Sequence, residues 1–492
     1  MADAAECGVW HPSRRVSDGV FSRSYRATTL GILLAITAMA CEGMAVATVL
    51  PSVAFDLGGL DNYGWAFSAF MLASLVGAIS AGEAADRQNA MLPARLGFVS
   101  FSVGLLIAGL APLWPILLIG RVVQGFGAGS LMAVSFVAIA RAYPEALRPR
   151  MLALVSSAWF VPALVGPALA GQVAEHASWR WVFLAILPPV AIAAWMLLPP
   201  LGRLFSVDMP VSPNSGRGRV PGRVLTSLRL TAGVALVLFA ADLPELPVAL
   251  LVGALGVLLA VPALTALLPE GTLLARGGLP AAVALRGLLA FGVFGSEALI
   301  PLGLTTQRGV AQSLVGLALT AGALAWVLGS WVQDRAEARS SGSLVARAMR
   351  VAVGLCLIAV GISGVAATVV LPSVPVELVA VAWAVGGLGM GLAYPATTLT
   401  ALGVASSGEE GAAAASLQVA ETIGTAVGTG TVGALFAMSV HLDRGMSDGL
   451  TWGFLLTFTS IVLGLAPAVR MAASGPQVMQ RLRPRTATTR PS

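Results

Sequence analysis

Long stretches of apolar sequence, bounded by proline, glycine and charged residues, recur along almost the whole chain. Many of them exceed the roughly 18 residues that favour a membrane-spanning helix over a helix buried in a soluble core. Because backbone amides in hydrocarbon need internal partners, runs of this length are expected to be helical. Fourteen are predicted, at about residues 29–50, 65–82, 96–112, 115–139, 151–173, 179–200, 226–241, 246–268, 280–303, 311–332, 348–371, 376–398, 411–439 and 449–469.

The composition indicates that lipid is the main solvent of this chain. Hydrophobic residues make up 57% of the 492 residues and charged residues 11%, against about 25% charged residues in soluble domains. The net charge of +6 does not indicate nucleic-acid binding, because the basic residues lie in short gaps between the apolar runs. The three histidines and three cysteines lack ligand spacing, so we expect neither a metal site nor a cofactor.

The arginines predict an orientation. All 29 basic residues are arginine, and 24 of them fall in alternate segments that share one side if the amino terminus is inside. The positive-inside rule then predicts that both termini are cytoplasmic. Residues 1–28 are too long and too polar for the start of a cleaved signal peptide, so the first apolar run is expected to be a retained helix of a multi-pass protein in a bacterial inner membrane. The rule fixes whether the number of spanning helices is even or odd, but not the number itself. Twelve helices therefore remain possible if the pair between 226 and 268 is interfacial.

A stretch rich in proline, glycine and arginine near residues 201–225 divides six helices from the remainder, as expected of a solvated linker. That division, together with the echo between the second and tenth runs described below, predicts an all-α polytopic protein of two six-helix bundles with two extra helices. Its segments are a cytoplasmic tail (1–28), an amino-terminal bundle (29–200), a cytoplasmic linker (201–225), two additional helices (226–268), a carboxyl-terminal bundle (280–471) and a cytoplasmic tail (472–492).

Three glutamates lie inside apolar runs. Glu42 is in the first run, Glu297 in the ninth and Glu421 in the thirteenth. An ionised carboxylate in lipid is costly, so each is expected to be protonated, paired or in a wet cavity. We interpret all three as candidates for proton coupling, with cation or substrate binding as a further reading of Glu42 and Glu297. The alternative is a structural hydrogen bond to a neighbouring helix.

The guanidinium of Arg121, in the fourth run, stays protonated, so it needs carboxylate or carbonyl oxygens or water as partners. Glu42 is a candidate partner. In the fifth run, Gly166, Pro167 and Gly171 are expected to bend or loosen the helix, because proline removes an intrahelical hydrogen bond. That bend is either part of a gate or a static kink.

Two polar segments echo each other. Gly82, Asp86 and Arg87 end the second run, while Asp334 and Arg335 follow the tenth run in the same spacing after Ser330. A six-helix repeat interrupted by two extra helices would bring these segments to equivalent positions.

Aromatic residues inside the runs are candidates for the lining of an apolar substrate cavity, with helix packing or an interfacial belt as the alternative. They are Phe67, Phe70, Trp159, Phe291, Phe294, Trp326 and Trp383.

Several of these segments resemble the fourteen-helix drug:proton antiporter branch of the major facilitator superfamily, across nearly the whole chain. Glu42 followed by Pro51 is similar to its first-helix acidic motif, with glutamate in place of aspartate. Gly82 to Arg87 resembles the loop motif after helix two, although Asn89, Ala90 and Met91 replace its usual glycine and basic residues. Other segments resemble its fourth-helix, antiporter and sixth-helix motifs, namely Arg121–Gly129, Gly166–Gly171 and Trp179–Phe183.

The resemblance implies alternating access, in which two bundles rock around a midplane cavity. Glu42 and Glu297 would exchange protons while an amphiphilic or hydrophobic substrate leaves. It implies gating by the loop motif, transport that is driven by the proton gradient without a cofactor, and a functional monomer. Rival hypotheses are export of a lipid or endogenous metabolite, nutrient symport, a non-transporting sensor and a membrane-integral enzyme. An enzyme is disfavoured because His11, His176 and His441 are scattered.

Overall fold

The computed structural model describes residues 19–87, 90–205, 222–243, 245–340, 343–405, 409–442 and 445–473. Most of the predicted linker at 201–225, and most of both predicted tails at 1–28 and 472–492, lie outside these residues.

Within the described residues, fourteen helices are long and apolar enough to cross a membrane, which confirms the predicted number. The first six are α1 (Arg26–Leu57), α2 (Leu60–Ala85), α3 (Met91–Gly109), α4 (Trp114–Ala142), α5 (Glu145–His176) and α6 (Arg180–Arg203). Two follow the linker, α7 (Arg223–Ala241) and α8 (Leu246–Leu267). The last six are α9 (Leu279–Thr306), α10 (Gln312–Arg339), α11 (Leu344–Val370), α12 (Leu378–Val404), α13 (Glu410–His441) and α14 (Met446–Met471).

The same helix pairings occur in both halves of the molecule. In the amino-terminal bundle, α1 packs on α5 and α6, and α4 packs on α2 and α3. In the carboxyl-terminal bundle, α9 packs on α13 and α14, and α12 packs on α10 and α11. Each pairing recurs with an offset of eight helices, so the fold is a six-helix unit used twice with two helices inserted between the copies.

Glycines allow the closest of these contacts. In the first bundle, Gly77 of α2 and Gly125 of α4 lie against backbone of the opposite helix. In the second bundle, Gly322 of α10 lies against the Trp383 side chain, and Gly391 of α12 lies against the backbone of α10. Small residues at such crossings let helices approach closely where lipid offers no hydrophobic driving force.

The inserted helices α7 and α8 pack on each other and on the boundary between the bundles. A separate hydrophobic cluster joins Leu72 of α2, Leu230 and Val234 of α7, Ala263 of α8 and Ile423 of α13. The pair therefore touches both bundles. Helix α8 is the most lipid-accessible span, since its most apolar stretch is only 11% buried.

The bundles meet at one end of the molecule, which we call the far side because it holds Leu57, the last residue of α1; the near side holds Arg26. Here the Tyr63 hydroxyl donates to the Ala298 carbonyl at 3.2 Å, and Gln312 Nε2 donates to Ser52 Oγ at 2.7 Å. A further bond there runs from the Ser313 amide to Glu175 at 3.2 Å, and nearer the middle of the helices Ser68 Oγ donates to the Ala426 carbonyl at 2.7 Å. The far side is therefore held closed.

Candidate functional site: two buried charge clusters and an unpartnered acid

The first cluster, which we call the Arg121 cluster, joins α1, α2 and α4. Glu42 lies sixteen residues after the start of α1 and fifteen before its end, and its carboxylate Oε1 accepts a hydrogen bond from Arg121 Nη1. Glu42 is fully buried and Arg121 is 3% exposed. The structure thus brings together the two residues that the sequence suggested as partners.

Three further groups surround the Arg121 guanidinium. Its Nε donates to the Ala66 carbonyl at 3.0 Å and its Nη1 to Gln124 Oε1 at 2.9 Å. The ring of Phe70 lies beneath it, 4.2 Å from ring centroid to guanidinium carbon. Phe70, predicted as a cavity residue, is thus buried and packs its ring against this guanidinium. Glu42 Oε2 and Gln124 Nε2 have no hydrogen-bond partner among the described residues.

The second cluster, the Arg286 cluster, joins α9, α12 and α13. Arg286 Nη1 lies 3.4 Å from Glu421 Oε2, and the Tyr394 hydroxyl donates to the same oxygen at 2.7 Å. Arg286 also donates to the Tyr394 carbonyl at 3.0 Å and to Thr398 Oγ1, and it stacks on the Tyr394 ring. Glu421 is 19% exposed, in contrast to Glu42.

The third glutamate stands apart from both clusters. Among the described residues, Glu297 makes no hydrogen bond and no ion pair, and it is partly exposed. It follows Phe294 by three positions, so both lie on one face of α9. The next residue, Ala298, accepts the hydrogen bond from Tyr63 of the opposite bundle. Glu297 therefore lies where the bundles meet.

An aromatic series runs through the carboxyl-terminal bundle. The ring centroids of Phe294 and Trp326 are 6.4 Å apart, and those of Trp326 and Tyr394 are 5.5 Å apart. Phe67 of the other bundle packs edge to face on Tyr63 at 5.7 Å. Rings at these separations have the geometry of attractive aromatic pairs.

The remaining predicted cavity aromatics are placed differently from one another. Phe291 is partly exposed, and its backbone lies against Gly428 of α13. Trp159 is 41% exposed, whereas Trp383 is 6% exposed and packs on Gly322 within its own bundle.

Comparison with known proteins gives the family. A sequence model described as "Major Facilitator Superfamily" matches residues 30–429, most of the chain. The chain belongs to the major facilitator superfamily.

Two curated superfamily relatives show how far the similarity extends. A probable multidrug-efflux transporter of Mycobacterium tuberculosis is 29% identical over 485 residues, covering 93% of this chain and 94% of the relative. The multidrug efflux pump SdrM of Staphylococcus aureus is 26% identical over 327 residues, covering 65% and 71%.

Two solved transporters share the fold at 15% identity. One is a POT family transporter in complex with 5-aminolevulinic acid, with a TM-score of 0.65 over 92% of this chain and 98% of that one. The other is a bacterial homologue of the human lysosomal transporter Spinster, in an inward-facing and occupied conformation. Its TM-score is 0.58, over 91% of this chain and 96% of that one.

The segment that resembles the superfamily's antiporter motif lies at a junction of three helices. Gly166 faces α1, where a Cβ added to it would be 3.7 Å from Met44 Cβ. Pro167 and Gly171 face the other bundle, because the Pro167 carbonyl lies against Gly316 and Gly171 lies against the Gln312 carbonyl. Helix α5 therefore connects the Glu42 helix to the opposite bundle.

The two loop segments that echo each other differ in what is described. Gly82 faces open space, and the side chains of Asp86 and Arg87 lie outside the described residues. Asp334 and Arg335 are exposed, without a hydrogen bond or ion pair among the described residues.

The ionic network at this end of α10 instead centres on Glu337, one turn later. It accepts from Arg347 Nε at 2.7 Å and also from Arg350 Nη2, which ties α10 to α11. The sequence echo located the right helix end but missed Glu337. The available signal was its position three residues after Asp334, with Arg347 and Arg350 at the start of the next apolar run.

The sequence also left Arg286 and Tyr394 without a predicted role, although Arg286 falls inside the predicted run at 280–303. Arg286 lies seven residues after the start of α9, where it can be mistaken for a charge at the edge of the apolar run. Arg121 was selected because a guanidinium inside an apolar run stays charged and needs a partner, and the same rule would have selected Arg286.

Proposed function

We propose that this chain exports amphiphilic or hydrophobic small molecules by alternating access, with protons entering in exchange. Membership of the superfamily supports transport. The names of its relatives, multidrug-efflux transporter and multidrug efflux pump, support drug efflux as its direction and substrate class.

The observation that carries proton coupling is the carboxyl group of Glu42. It is fully buried at the midpoint of α1, it faces a cation, and its Oε2 has no partner among the described residues. A carboxyl in such a place has two stable states, a neutral acid or a carboxylate held by Arg121, and these differ by one proton. An exchange between the two states is what coupling requires.

The path from that proton to the bundles runs through α5. Protonation of Glu42 removes the charge that attracts Arg121, while Arg121 keeps its bonds to Ala66 and Gln124. Glu42 is two residues from Met44, which packs against Gly166, and Gly171 on the same helix contacts the opposite bundle. A shift of α1 is therefore transmitted to the contact between α5 and α10.

The far-side contacts support a cycle in which this structure is the state closed on the far side. The proposed orientation has the near side and both termini in the cytoplasm of a bacterium, in its inner membrane. A functional monomer with no resident cofactor completes the proposal.

The test is transport by the purified protein in proteoliposomes with an imposed pH gradient. We expect wild-type protein to accumulate an efflux dye against its gradient, and Glu42→Gln to lose this proton-driven accumulation. Glu377→Gln, which removes an exposed carboxyl at the start of α12, is the matched control and should transport normally.

Undiminished accumulation by Glu42→Gln would contradict the coupling role. Proton movement measured in both directions separates export from symport, because a symporter moves protons and substrate the same way. A screen of lipids and metabolites in the same vesicles separates drug efflux from export of an endogenous molecule.

A further inference from the structure

Acidic and basic residues are unequal in number in the membrane interior of this protein. At least seven residues from either end of their spanning helix, the described residues include three carboxyl groups and two guanidinium groups. Glu42 is paired with Arg121 and Glu421 with Arg286. Glu297 is left over, so the interior is one negative charge in excess when all five groups are ionised.

The leftover carboxyl is partly accessible and adjoins a contact between the bundles. Glu297 is partly exposed, eighteen residues into α9 and nine from its end. The far-side contact between Tyr63 and Ala298 adjoins it. On the other faces of α9, Ser296 donates to Thr457 and Gly295 packs against the same threonine, so those faces are filled by α14.

Aromatic rings accompany Glu297 on its own face of the helix. Phe294 is one turn away, and its ring leads to Trp326 and then to Tyr394. All three are partly exposed. Aromatic faces attract cations, and Arg286 over the Tyr394 ring is an example within this series.

We propose that Glu297, together with the rings of Phe294 and Trp326, forms the subsite that recognises the positive charge of cationic amphiphilic substrates. The substrate cation supplies the missing partner of Glu297, and its apolar groups stack on the rings. Neutral substrates use the rings alone.

This inference rests on the proposed function, and it separates two tasks that both need a carboxyl. Glu42 already has a cation and is fully buried, so a substrate cannot reach it without displacing Arg121. Glu421 likewise has Arg286 and Tyr394. Charge recognition therefore falls to Glu297, and proton coupling to Glu42.

The experiment uses two probes and two measurements. The probes are tetraphenylphosphonium, a permanent monocation, and Nile red, a neutral lipophilic dye. Binding is measured by equilibrium dialysis with the purified full chain in detergent, and export in proteoliposomes with a pH gradient. The variants are Glu297→Gln, Glu297→Asp, Trp326→Leu and Glu42→Gln, with Glu377→Gln as control.

We expect Glu297→Gln to lower the affinity for tetraphenylphosphonium about tenfold or more and to leave Nile red binding and export within about twofold of wild type. Glu297→Asp keeps the charge and should restore most of the cation affinity. Trp326→Leu should weaken both probes. Glu42→Gln should bind both probes and export neither.

Two results would overturn the inference. If Glu297→Gln bound and exported tetraphenylphosphonium like the wild type, Glu297 would not recognise the charge. If it lost both probes equally while its thermal unfolding matched that of the control, Glu297 would serve coupling or conformational change instead. Failure of wild-type protein to export either probe would contradict the proposed function, and the binding measurements would still decide the role of Glu297.

Discussion

The Arg121 cluster and the Arg286 cluster place similar chemistry in two copies of one helix arrangement, but they differ in access. Glu42 is fully buried, whereas Glu421 is 19% exposed and shares its Oε2 between Arg286 and a tyrosine hydroxyl. The charges also lie on different helices of the repeat, because the acid and the base are on the first and fourth helices of one bundle but on the fifth and first helices of the other. The repeat preserved helix packing while its charges diverged.

The difference has a physical meaning for how each acid changes state. The Glu42 carboxyl is enclosed by protein, whereas part of the Glu421 carboxyl is open to the space beside it. A sealed pair suits a step that must be tied to a conformational change. An accessible pair with a tyrosine donor suits a fixed charge that shapes a cavity.

Removal of each arginine should show the largest contrast between the clusters. Arg121→Ala leaves Glu42 buried without its cation, so we expect a loss of about 3–5 kcal/mol in the free energy of unfolding together with loss of transport. Arg286→Ala should cost about 1–3 kcal/mol, because Glu421 keeps Tyr394 and some solvent. Unfolding in detergent, followed by tryptophan fluorescence, measures both.

The double variant Glu42→Gln/Arg121→Gln provides the control for that comparison. It removes both charges of the pair, so it should recover most of the stability lost in Arg121→Ala but none of the proton-driven transport. Equal destabilisation by the two arginine variants would show that burial does not distinguish the clusters.

A second contrast sets packing within a bundle against packing between bundles. A side chain at Gly125 meets the Phe70 backbone of the same bundle, and one at Gly316 meets the Pro167 backbone of the other. Overpacking costs about 1–3 kcal/mol. Gly125→Val should therefore lower the unfolding temperature, whereas Gly316→Val should fold normally and disfavour far-side closure by roughly tenfold.

Transport and unfolding measured on the same two preparations check this prediction. Full transport by Gly316→Val would mean that close contact of α5 with α10 is not needed in the cycle. Alanine at each position is the milder control, with effects in the same direction.

Removal of a single hydrogen bond from each cluster should give a smaller difference in the free energy of unfolding. Gln124→Leu removes a fully buried acceptor of Arg121, with an expected loss of about 2 kcal/mol in the free energy of unfolding. Tyr394→Phe removes one donor to the more exposed Glu421, with an expected loss of about 1 kcal/mol. Chemical unfolding of both variants in one detergent gives the ratio, and a larger effect for Tyr394→Phe would reverse the order of access inferred for the clusters.

The smallest expected effect concerns Asp242, an acid outside the spanning helices. Asp242, just after α7, accepts a hydrogen bond from Trp65 Nε1 at 2.8 Å, and burial raises the pKa of its carboxyl. The folded state then holds the proton more tightly than the unfolded state, so its contribution favours folding at low pH. That contribution is lost as the pH rises from the ordinary value of about 3.9 through the raised pKa.

Asp242→Asn keeps a side-chain oxygen for Trp65 and cannot titrate. We expect it to remove this pH dependence and to change stability at neutral pH by less than about 1 kcal/mol. Unfolding temperatures between pH 4 and pH 7 test the prediction, with Glu377→Gln as the control. An unchanged pH profile in Asp242→Asn would assign the dependence to another group.

The sequence predicted the fold well because lipid imposes one strong rule. Apolar length alone located fourteen helices, since each must span the membrane and satisfy its own backbone. Helix ends were less accurate: the run predicted at 65–82 belongs to Leu60–Ala85, and the one at 151–173 to Glu145–His176. Polar turns extend helices beyond their apolar segment, and hydropathy does not detect them.

The clusters were only partly predictable for a different reason. Arg121 needed an anion, and Glu42, a carboxyl inside another apolar run, was the candidate partner that the sequence offered. Nothing in a single sequence gives the rotation of one helix against another, so the pairing of Glu421 with Arg286 and the isolation of Glu297 could not be derived. The roles of all these residues in coupling, gating and substrate binding stay predictions.

The inserted helices have a consequence for entry from the bilayer. Two seams separate the bundles, one between α2 and α13 and one between α5 and α10. The first is roofed by α7 through Leu230 and Val234, whereas along the second the described residues expose Leu164 and Leu317 to lipid. A molecule dissolved in the hydrocarbon therefore meets the inserted helix α7 at the first seam, whereas at the second it meets the two bundles themselves, where α5 and α10 pack on each other.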